Sequence, residues 1–237
     1  MSDHDPTYAP KLISLLRKSP GSPKTFIDAG ACRGDFTAFL VGAFPDAMVY
    51  ALEPDPALCQ VVSQRFRDNA NVQAWQLALQ ENRGSAKLHV HADPGTSSLL
   101  PRPTHGPRYY HHSDRVLATI DVPALSLDQF VAERGASSIA LLKLDTQGSE
   151  LSILRGALNA LESGTIDAIY TEFFVIPHYD GAPLLGDLIA VLATFGYALF
   201  DLFKGPYASN GQLRFGDAIF VSPKFRARYL DTSADEP

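Results

Sequence analysis

Short apolar, β-rich runs alternate along the chain with amphipathic segments of helix length, and this alternation constrains the fold more than any other feature. The pattern is typical of an α/β fold in which a mostly parallel sheet carries helices on both faces. The predicted strands span residues 25–29, 48–52, 72–76, 139–144, 166–171, 198–203 and 218–221. The predicted helices span residues 36–43, 56–69, 127–134, 150–162 and 184–195. A polar, glycine-containing connection joins the last two strands, which predicts an antiparallel pair at one edge of the sheet.

The composition excludes several classes of protein. The 237 residues include 46% hydrophobic and 19% charged side chains, values that fit neither a disordered chain nor a coiled coil. No composition shift divides the sequence, so we expect one domain over residues 1–237, with an N-terminal extension or helix at residues 1–22. The net charge of −6 argues against a nucleic-acid partner, because phosphates attract basic proteins. The two cysteines exclude a disulfide framework and suit the cytoplasm, where we expect the protein to act.

One apolar segment, residues 184–203, is about as long as a membrane span. Asp187, Gly196 and Asp201 interrupt this segment, which favours a buried helix followed by a buried strand. The N-terminal residues contain no apolar run that is long enough for a signal peptide. We therefore expect no membrane span in this chain.

The middle of the chain departs from the alternating pattern. An extra strand is predicted at residues 86–91, and residues 93–118 then form an irregular insertion with four prolines, paired tyrosines and three arginines. Long insertions in compact domains often bind ligands or cover a site. One interpretation is a lid near the substrate site, whose arginines together with Tyr109 and Tyr110 receive an anionic or polyhydroxyl acceptor. The other interpretation is a mobile surface loop.

Two strand ends carry the residues expected of a nucleoside site. The first strand ends in FIDAGACRGDF, where Asp28 closes the strand, Gly30 makes a tight turn and Gly34 opens a helix. Glycines at such a turn allow the backbone to approach a ligand closely. The second strand ends at Glu53, which is placed to accept hydrogen bonds from both ribose hydroxyls. An ordinary strand–helix turn explains the glycines alone, but the two features together favour a ligand that contains adenosine.

The spacing of the glycines separates two candidate ligands. Dinucleotide sites usually show G-x-G-x-x-G, in which the second glycine makes room for a pyrophosphate. Here Asp28-x-Gly30 is followed by Gly34, and an acidic group before the turn suits an ammonium ion better than a pyrophosphate. S-adenosylmethionine carries an ammonium, a sulfonium and a ribose but no phosphate. An NAD-dependent oxidoreductase remains as an alternative, although no Tyr-x-x-x-Lys or similar hydride-transfer set is evident.

The chain resembles the FkbM-type family of S-adenosylmethionine-dependent methyltransferases over roughly residues 23–223. The most specific part is the Lys-x-Asp-x-x-Gly-x-Glu block, here Lys143, Asp145, Gly148 and Glu150. The other segments that carry the resemblance are the two strand-end turns and residues 95–99, 122–130 and 216–221. One departure is Cys32, where the family more often has Asn, and this weakens the case for a side-chain contact at that position.

The resemblance implies a class I methyltransferase fold, Rossmann-like and seven-stranded, and methyl transfer that is usually to a hydroxyl oxygen. The cofactor-binding residues expected on this basis are Asp28, Gly30, Ala31, Gly34, Glu53, Pro54, Ala78, Leu79 and Asp145. In this scheme the glycine turn holds the methionine end of S-adenosylmethionine and the glutamate holds its ribose. Ala78 and Leu79 flank the adenine, and Asp145 lies beside the transferred methyl or the ammonium.

The expected reaction is an in-line transfer of a methyl group to a hydroxyl of a sugar or other small-molecule acceptor. A neutral alcohol is a weak nucleophile, so a general base within hydrogen-bonding reach should assist. The candidates are Asp145, Glu172 and His178, although Glu172 could equally be structural and a solvated loop position is favoured for His178. Glu150 is interpreted as a structural residue that organises the turn presenting Asp145. No metal is expected, and a non-catalytic S-adenosylmethionine-binding module remains a further alternative.

Overall fold

The computed structural model describes residues 8–19, 21, 24–103 and 115–231, in which strands and helices alternate. The helices are α1 (Tyr8–Lys18), α2 (Asp35–Ala43), α3 (Pro56–Arg65), α4 (Leu127–Arg134), α5 (Glu150–Arg155), α6 (Leu158–Glu162), α7 (Leu185–Thr194) and α8 (Pro223–Tyr229). The strands are β1 (Thr25–Ala29), β2 (Met48–Leu52), β3 (Val72–Trp75), β4 (Ala78–Leu79), β5 (Gly84–His91), β6 (Val116–Leu125), β7 (Ile139–Leu144), β8 (Ile166–Phe174), β9 (Ala198–Lys204) and β10 (Phe215–Val221).

A seven-stranded sheet of spatial order β3-β2-β1-β7-β8-β10-β9 organises these elements. The first five strands in this order are parallel, and β10 runs antiparallel to both β8 and β9. The predicted α/β class, the seven strands and the antiparallel edge are thereby confirmed. Because the strand order reverses between β1 and β7, a crevice forms at the carboxyl ends of these strands, which is where such sheets bind ligands.

Both faces of the central strands β1, β7 and β8 are buried, as expected for parallel strands in the middle of a sheet. Neighbouring residues of one strand enter different cores: Ile27 packs against Leu142 on one face, and Phe26 packs with Leu141 on the other. Helix α1 buries its leucines in this second core and accounts for the helix predicted within residues 1–22.

Helix boundaries differ from the prediction at two places. The segment predicted as one helix over 150–162 divides into α5 and α6 at Gly156, since this residue packs against a neighbouring loop. A Cβ atom on Gly156 would lie 2.4 Å from the carbonyl oxygen of Gln80. The helix predicted over 56–69 ends earlier, at Arg65.

A small second sheet, with strand order β4-β6-β5, was not predicted as a sheet. The extra strand predicted at 86–91 is its strand β5, and β6 begins at Val116, inside the predicted insertion 93–118. Residues 104–114, which include Tyr109 and Tyr110, lie outside the described residues. The lid therefore stays a prediction.

The apolar segment 184–203 forms α7 and β9, separated by a turn at Gly196 with a φ of +73°. The helix and strand predicted for this segment are confirmed, but their predicted burial is wrong, because β9 is the edge strand of the sheet and Leu199, Phe200 and Leu202 are exposed. In the described ranges, the helices are too short or too polar to cross a membrane.

We expect Gly156→Ala to destabilise the protein by about 1–3 kcal/mol, because the added methyl group overlaps backbone atoms that cannot move aside easily. Gly186→Ala, in α7, is the matched control, since open space surrounds the position of its Cβ. Alanine favours a helix by about 1 kcal/mol over glycine, so the control should be neutral or stabilising. Urea-induced unfolding measures both, and equal stability of the two variants would contradict the packing explanation for the helix break.

Candidate active site

A cleft of about 650 Å³ opens at the carboxyl ends of β1, β2 and β7. Of the predicted cofactor-binding residues, six line this cleft: Gly30, Glu53, Pro54, Ala78, Leu79 and Asp145. The cleft therefore brings together the turn after β1, the end of β2 and the segment after β3, as the sequence predicts.

The turn after β1 requires glycine at its first position. Gly30 has a φ of +77°, and a Cβ atom there would lie 1.9 Å from the carbonyl oxygen of Asp145. The amides of Gly30 and Ala31 both donate to the carbonyl of Leu52, at 3.0 and 3.1 Å. The turn is thus held between the ends of β2 and β7, and its backbone forms part of the cleft wall.

Gly34 begins α2 from a left-handed conformation, with a φ of +78°. A Cβ atom at this position would lie 2.8 Å from the ring of Phe66. Gly34 and Ala31 shape the turn without lining the cleft, so their contribution to the site is through the backbone path.

Glu53 lies at the end of β2 with its carboxylate held by the main chain. Its Oε2 accepts from the amide of Cys32 at 2.8 Å, and its Oε1 accepts from the amide of Asp55 at 2.9 Å. Each oxygen keeps acceptor capacity for a further donor, which is what a pair of ribose hydroxyls requires. Burial raises the pKa of Glu53 to about 7 although the two amide hydrogen bonds lower it.

Cys32 lies in the left-handed region with a φ of 50°, a conformation that Asn adopts more readily than most residues. Its link to Glu53 is made by the backbone amide. A cysteine at this position therefore preserves the hydrogen bond to the carboxylate.

Asp28 does not line the cleft, which departs from the prediction that its carboxylate contacts the ligand. The side chain is fully buried. Its Oδ2 accepts from the hydroxyl of Thr37 at 2.6 Å, and its Oδ1 lies 3.0 Å from the ammonium of Lys143. Both oxygens of the Asp28 carboxylate therefore have partners in the protein interior, so Asp28 supports the turn without lining the cleft.

Lys143 links the buried carboxylate of Asp28 with Gly30 and Asp145 of the cleft wall. Its ammonium donates to the carbonyl of Gly30 at 2.7 Å and lies 3.6 Å from Asp145 Oδ2. Burial alone would lower the pKa of Lys143, but the carboxylates of Asp28 and Asp145 together raise it by a larger amount, so the net effect is an increase. The lysine is therefore a permanent cation that ties β1, its glycine turn and the end of β7 together.

The loop after β7 brings Asp145 and Glu172 together through Gln147. The Nε2 of Gln147 donates to Asp145 Oδ1 at 3.0 Å and to Glu172 Oε2 at 2.8 Å. Gln147 has a φ of 56°, and the hydroxyl of Ser98 donates to its carbonyl at 2.6 Å. Two of the three predicted general bases, Asp145 and Glu172, thus accept hydrogen bonds from the same side-chain amide.

Glu150 organises this loop, as predicted. Its buried Oε1 accepts from the amide of Thr146 at 2.9 Å, from the Thr146 hydroxyl at 2.9 Å and from the amide of Gly148 at 3.2 Å. The carboxylate thereby fixes the path of the chain between Asp145 and α5.

Glu172 is buried at the end of β8, opposite Asp217 of β10 in the strand register. Burial raises its pKa well above the ordinary value, and the carboxylates of Asp145, Glu150 and Asp217 raise it further. A carboxyl group with a raised pKa binds a proton more readily than an exposed one, and such groups are frequent at sites of proton transfer.

His178 is buried, so the expectation of a solvated loop position is wrong. Its Nδ1 lies 2.9 Å from the carbonyl of Ile176, and its ring stacks on Phe174 with centroids 4.7 Å apart. Burial lowers the pKa of His178 to about 4, and nearby Arg214 and Arg102 lower it further. A base this weak suits proton abstraction poorly.

Sequence reasoning missed the roles of Lys143, Gln147 and Ser98. All three fall in segments that carry the family resemblance, which was the available signal. Their roles depend on contacts across the fold: Lys143 meets Asp28 from a different strand, and Ser98 reaches Gln147 from residues far away in the sequence. In the described ranges, no group of three or more His, Cys, Asp and Glu side chains is arranged to hold a metal ion.

Comparison with known proteins gives a family match that covers most of the chain. The family described as "Methyltransferase FkbM domain" matches residues 28–199. A relative named methyltransferase sdnD, from Sordaria araneosa, is 28% identical over 161 residues, which are 58% of this chain and 61% of the relative. A second relative, 2-O-methyltransferase NoeI from Sinorhizobium fredii, is 24% identical over 191 residues, which are 78% of this chain and 76% of the relative. The chain thus spans less than two thirds of the Sordaria protein.

Among solved structures, a precorrin-6y C5,15-methyltransferase from Geobacter metallireducens aligns with 91% of this chain and 87% of its own. The two share 10% sequence identity, with a TM-score of 0.48.

Binding of S-adenosylhomocysteine should depend on pH through Glu53. The carboxyl must be ionised for both oxygens to accept hydroxyl hydrogens, and its pKa is raised to about 7. Affinity should therefore fall by about tenfold per pH unit below 7 and level off above it, since binding then requires the loss of one proton. Calorimetric titration from pH 5.5 to 8.5 measures this, and Glu53→Gln should bind weakly with no such dependence. A parent affinity that stays constant over this range would contradict the role of Glu53.

Lys143→Met should cost about 3–5 kcal/mol of stability, because it leaves the carboxylate of Asp28 buried without its cation. Lys87→Met is the matched control: Lys87 pairs with Asp121 at 3.2 Å, and both side chains are mostly exposed. Exposed pairs contribute about 0–1 kcal/mol. Asp28→Asn combined with Lys143→Met should recover part of the loss in urea-induced unfolding. Equal losses for Lys143→Met and Lys87→Met would contradict the central place of the buried ion pair.

Proposed function

Because the chain belongs to the FkbM methyltransferase family, we propose that it methylates a hydroxyl oxygen of a sugar or another small-molecule acceptor. Its cofactor is S-adenosylmethionine, so the NAD-dependent alternative does not apply. The observation that carries the proposal is the pair of carboxylates, Asp145 and Glu172, which share the amide of Gln147 beside the cleft. A hydroxyl group loses its proton when its oxygen is methylated, and this pair offers a place for that proton.

The described residues fit S-adenosylmethionine along the whole cleft. The free acceptor capacity of Glu53 suits the ribose hydroxyls, and the apolar walls of Ala78 and Leu79 suit the adenine. At the other end, the close approach of the Gly30 turn to Asp145 leaves the backbone exposed to the methionine part, and the Asp145 carboxylate is 37% exposed. When bound, S-adenosylmethionine supplies a methyl group that its sulfonium makes electrophilic.

The chain's own contribution is to orient the acceptor hydroxyl and to take its proton. We assign the proton to Glu172, because its carboxylate shares the amide of Gln147 with Asp145 and its raised pKa makes it a stronger base than an exposed carboxylate. Asp145, which faces the cleft, orients the reacting groups, and Gln147 holds the two carboxylates at a fixed separation. Correct alignment of reactants supplies ~7–11 kcal/mol in favourable model reactions, so this positioning is as important as the base.

The relatives support oxygen as the acceptor atom. One of them is named a 2-O-methyltransferase, and the matched region covers 78% of this chain. The choice of oxygen is also consistent with the paired carboxylates, which a carbon or sulfur nucleophile of low pKa would not need.

Glu172→Gln should lower the methylation rate by about 10²–10⁴-fold, the usual contribution of a general base. Transfer from radiolabelled S-adenosylmethionine to a panel of sugars, glycosides and small alcohols measures the rate, with free amines and thiols as comparison acceptors. The parent rate should increase with pH as Glu172 ionises, and the variant should lose this dependence. Binding of S-adenosylhomocysteine should be unchanged.

Glu133→Gln is the matched control, because Glu133 pairs with Arg83 at the surface. It should retain the parent rate. Transfer to amines or thiols alone would overturn the proposal of O-methylation, and a full rate for Glu172→Gln would remove Glu172 as the base. Tight binding of S-adenosylhomocysteine without transfer to any acceptor class would favour the non-catalytic module.

A further inference from the structure

A second polar cluster lies at the same edge of the sheet as the cleft. It consists of Arg102, His178 and Arg214, which come from three separate loops. His178 follows β8, and Arg214 immediately precedes β10, whose first residue pairs with the last residue of β8. The cluster therefore lies at the carboxyl end of β8, the end that also carries Glu172.

Arg214 is held in place by its backbone and keeps donor capacity on its side chain. Its amide donates to Pro206 O at 3.1 Å, and its carbonyl accepts from the amide of Val175 at 2.9 Å. Its Nη2 lies 3.4 Å from His178 Nε2, whereas its buried Nε makes no hydrogen bond with any described residue. Nor does any carboxylate of the described ranges lie within ion-pair distance of its guanidinium. A buried donor of this kind needs an acceptor from elsewhere.

Arg102 lies on the other side of His178. Its Nη1 is 3.4 Å from the carbonyl oxygen of His178, and its guanidinium lies 4.3 Å from the centroid of the Tyr179 ring. Stacking on an aromatic face fixes the plane of a guanidinium while its N–H groups remain directed outward in that plane. Two arginines thus converge on one histidine.

The histidine between them is neutral at physiological pH. Its Nδ1 must carry a hydrogen, because it faces the carbonyl oxygen of Ile176 at 2.9 Å. Its Nε2 is then an acceptor toward Arg214. Both guanidiniums have an atom 3.4 Å from His178, so the two cations are close enough to repel; burial and the charge of Arg102 accordingly lower the pKa of Arg214. An anion placed between them would relieve this repulsion.

Short contacts connect the cluster with the carboxylate pair. The hydroxyl of Tyr179, whose ring carries Arg102, lies 2.8 Å from Gln147 Oε1. Gln147 in turn donates to Asp145, which lines the cleft. Tyr179 and Gln147 thus connect the arginines with the carboxylates of Asp145 and Glu172.

We propose that Arg102 and Arg214 form a subsite for a carboxylate group on the acceptor, so that the substrate class is a hydroxy acid. The guanidinium fork matches the two oxygens of a carboxylate, and His178 fills the space between the forks without adding charge. This proposal rests on the proposed function, because it assigns the substrate of the same site.

The test uses two probes of the same shape, 4-hydroxybenzoate and 4-hydroxybenzamide, which differ in charge. Each is titrated calorimetrically into the full chain saturated with S-adenosylhomocysteine. The parent should bind the acid at least tenfold more tightly than the amide. Arg214→Gln and Arg102→Gln should each remove most of this preference, while affinity for S-adenosylhomocysteine stays at the parent value. Arg83→Gln, which removes an exposed arginine paired with Glu133, should keep the full preference.

Equal affinity for the two probes, or binding of neither, overturns the carboxylate subsite. A preference for the acid that survives both arginine variants overturns it as well. Should Arg214→Gln fail to fold, Arg214→Lys decides, since it keeps the charge and should keep part of the preference. A parent chain that does not bind S-adenosylhomocysteine would overturn the proposed function instead, so the two failures are distinguishable.

Discussion

The buried ammonium of Lys143 is the interaction on which the rest of the site depends. It lies between Asp28 and Asp145 and also donates to the carbonyl of the Gly30 turn. Desolvating one cation between two carboxylates is tolerable only when the geometry is good and hydrogen bonds are complete. The hydroxyl of Thr37 and the glycine carbonyl supply those bonds. The reversal of strand order creates the crevice, and this ion cluster sets the distance between its two sides.

The acidic groups of the site have different surroundings. Glu53, at the end of β2, is held by two main-chain amides, whereas Glu172, at the end of β8, lies near the carboxylates of Asp145, Glu150 and Asp217. Lys143 contacts Asp145, and Gln147 links Asp145 with Glu172. These contacts hold the end of β7 against its neighbouring strands.

The sequence was sufficient for the strands because the central strands are buried on both faces and are continuous apolar runs, and all seven predicted runs are present in the sheet. It was also sufficient to place Glu53 at the end of β2, where its side chain lines the cleft. It was not sufficient for Asp28, because the partner that occupies this carboxylate is 115 positions away, at Lys143. The break at Gly156 was equally hidden, since it comes from close contact with the backbone of Gln80. Local patterns predict elements, whereas contacts between distant segments decide which side chains face the ligand.

The amide of Cys32 holds Glu53 in place, and this has an evolutionary consequence. Every residue except proline has a backbone N–H, so the hydrogen bond to the carboxylate needs no particular side chain at position 32, although the left-handed backbone there favours residues such as asparagine. A lineage could exchange asparagine for cysteine there, and back again, while the hydrogen bond to Glu53 stayed in place. A hydrogen bond from the main chain allows the side chain at the rim of a pocket to change during evolution while the contact with the carboxylate is kept.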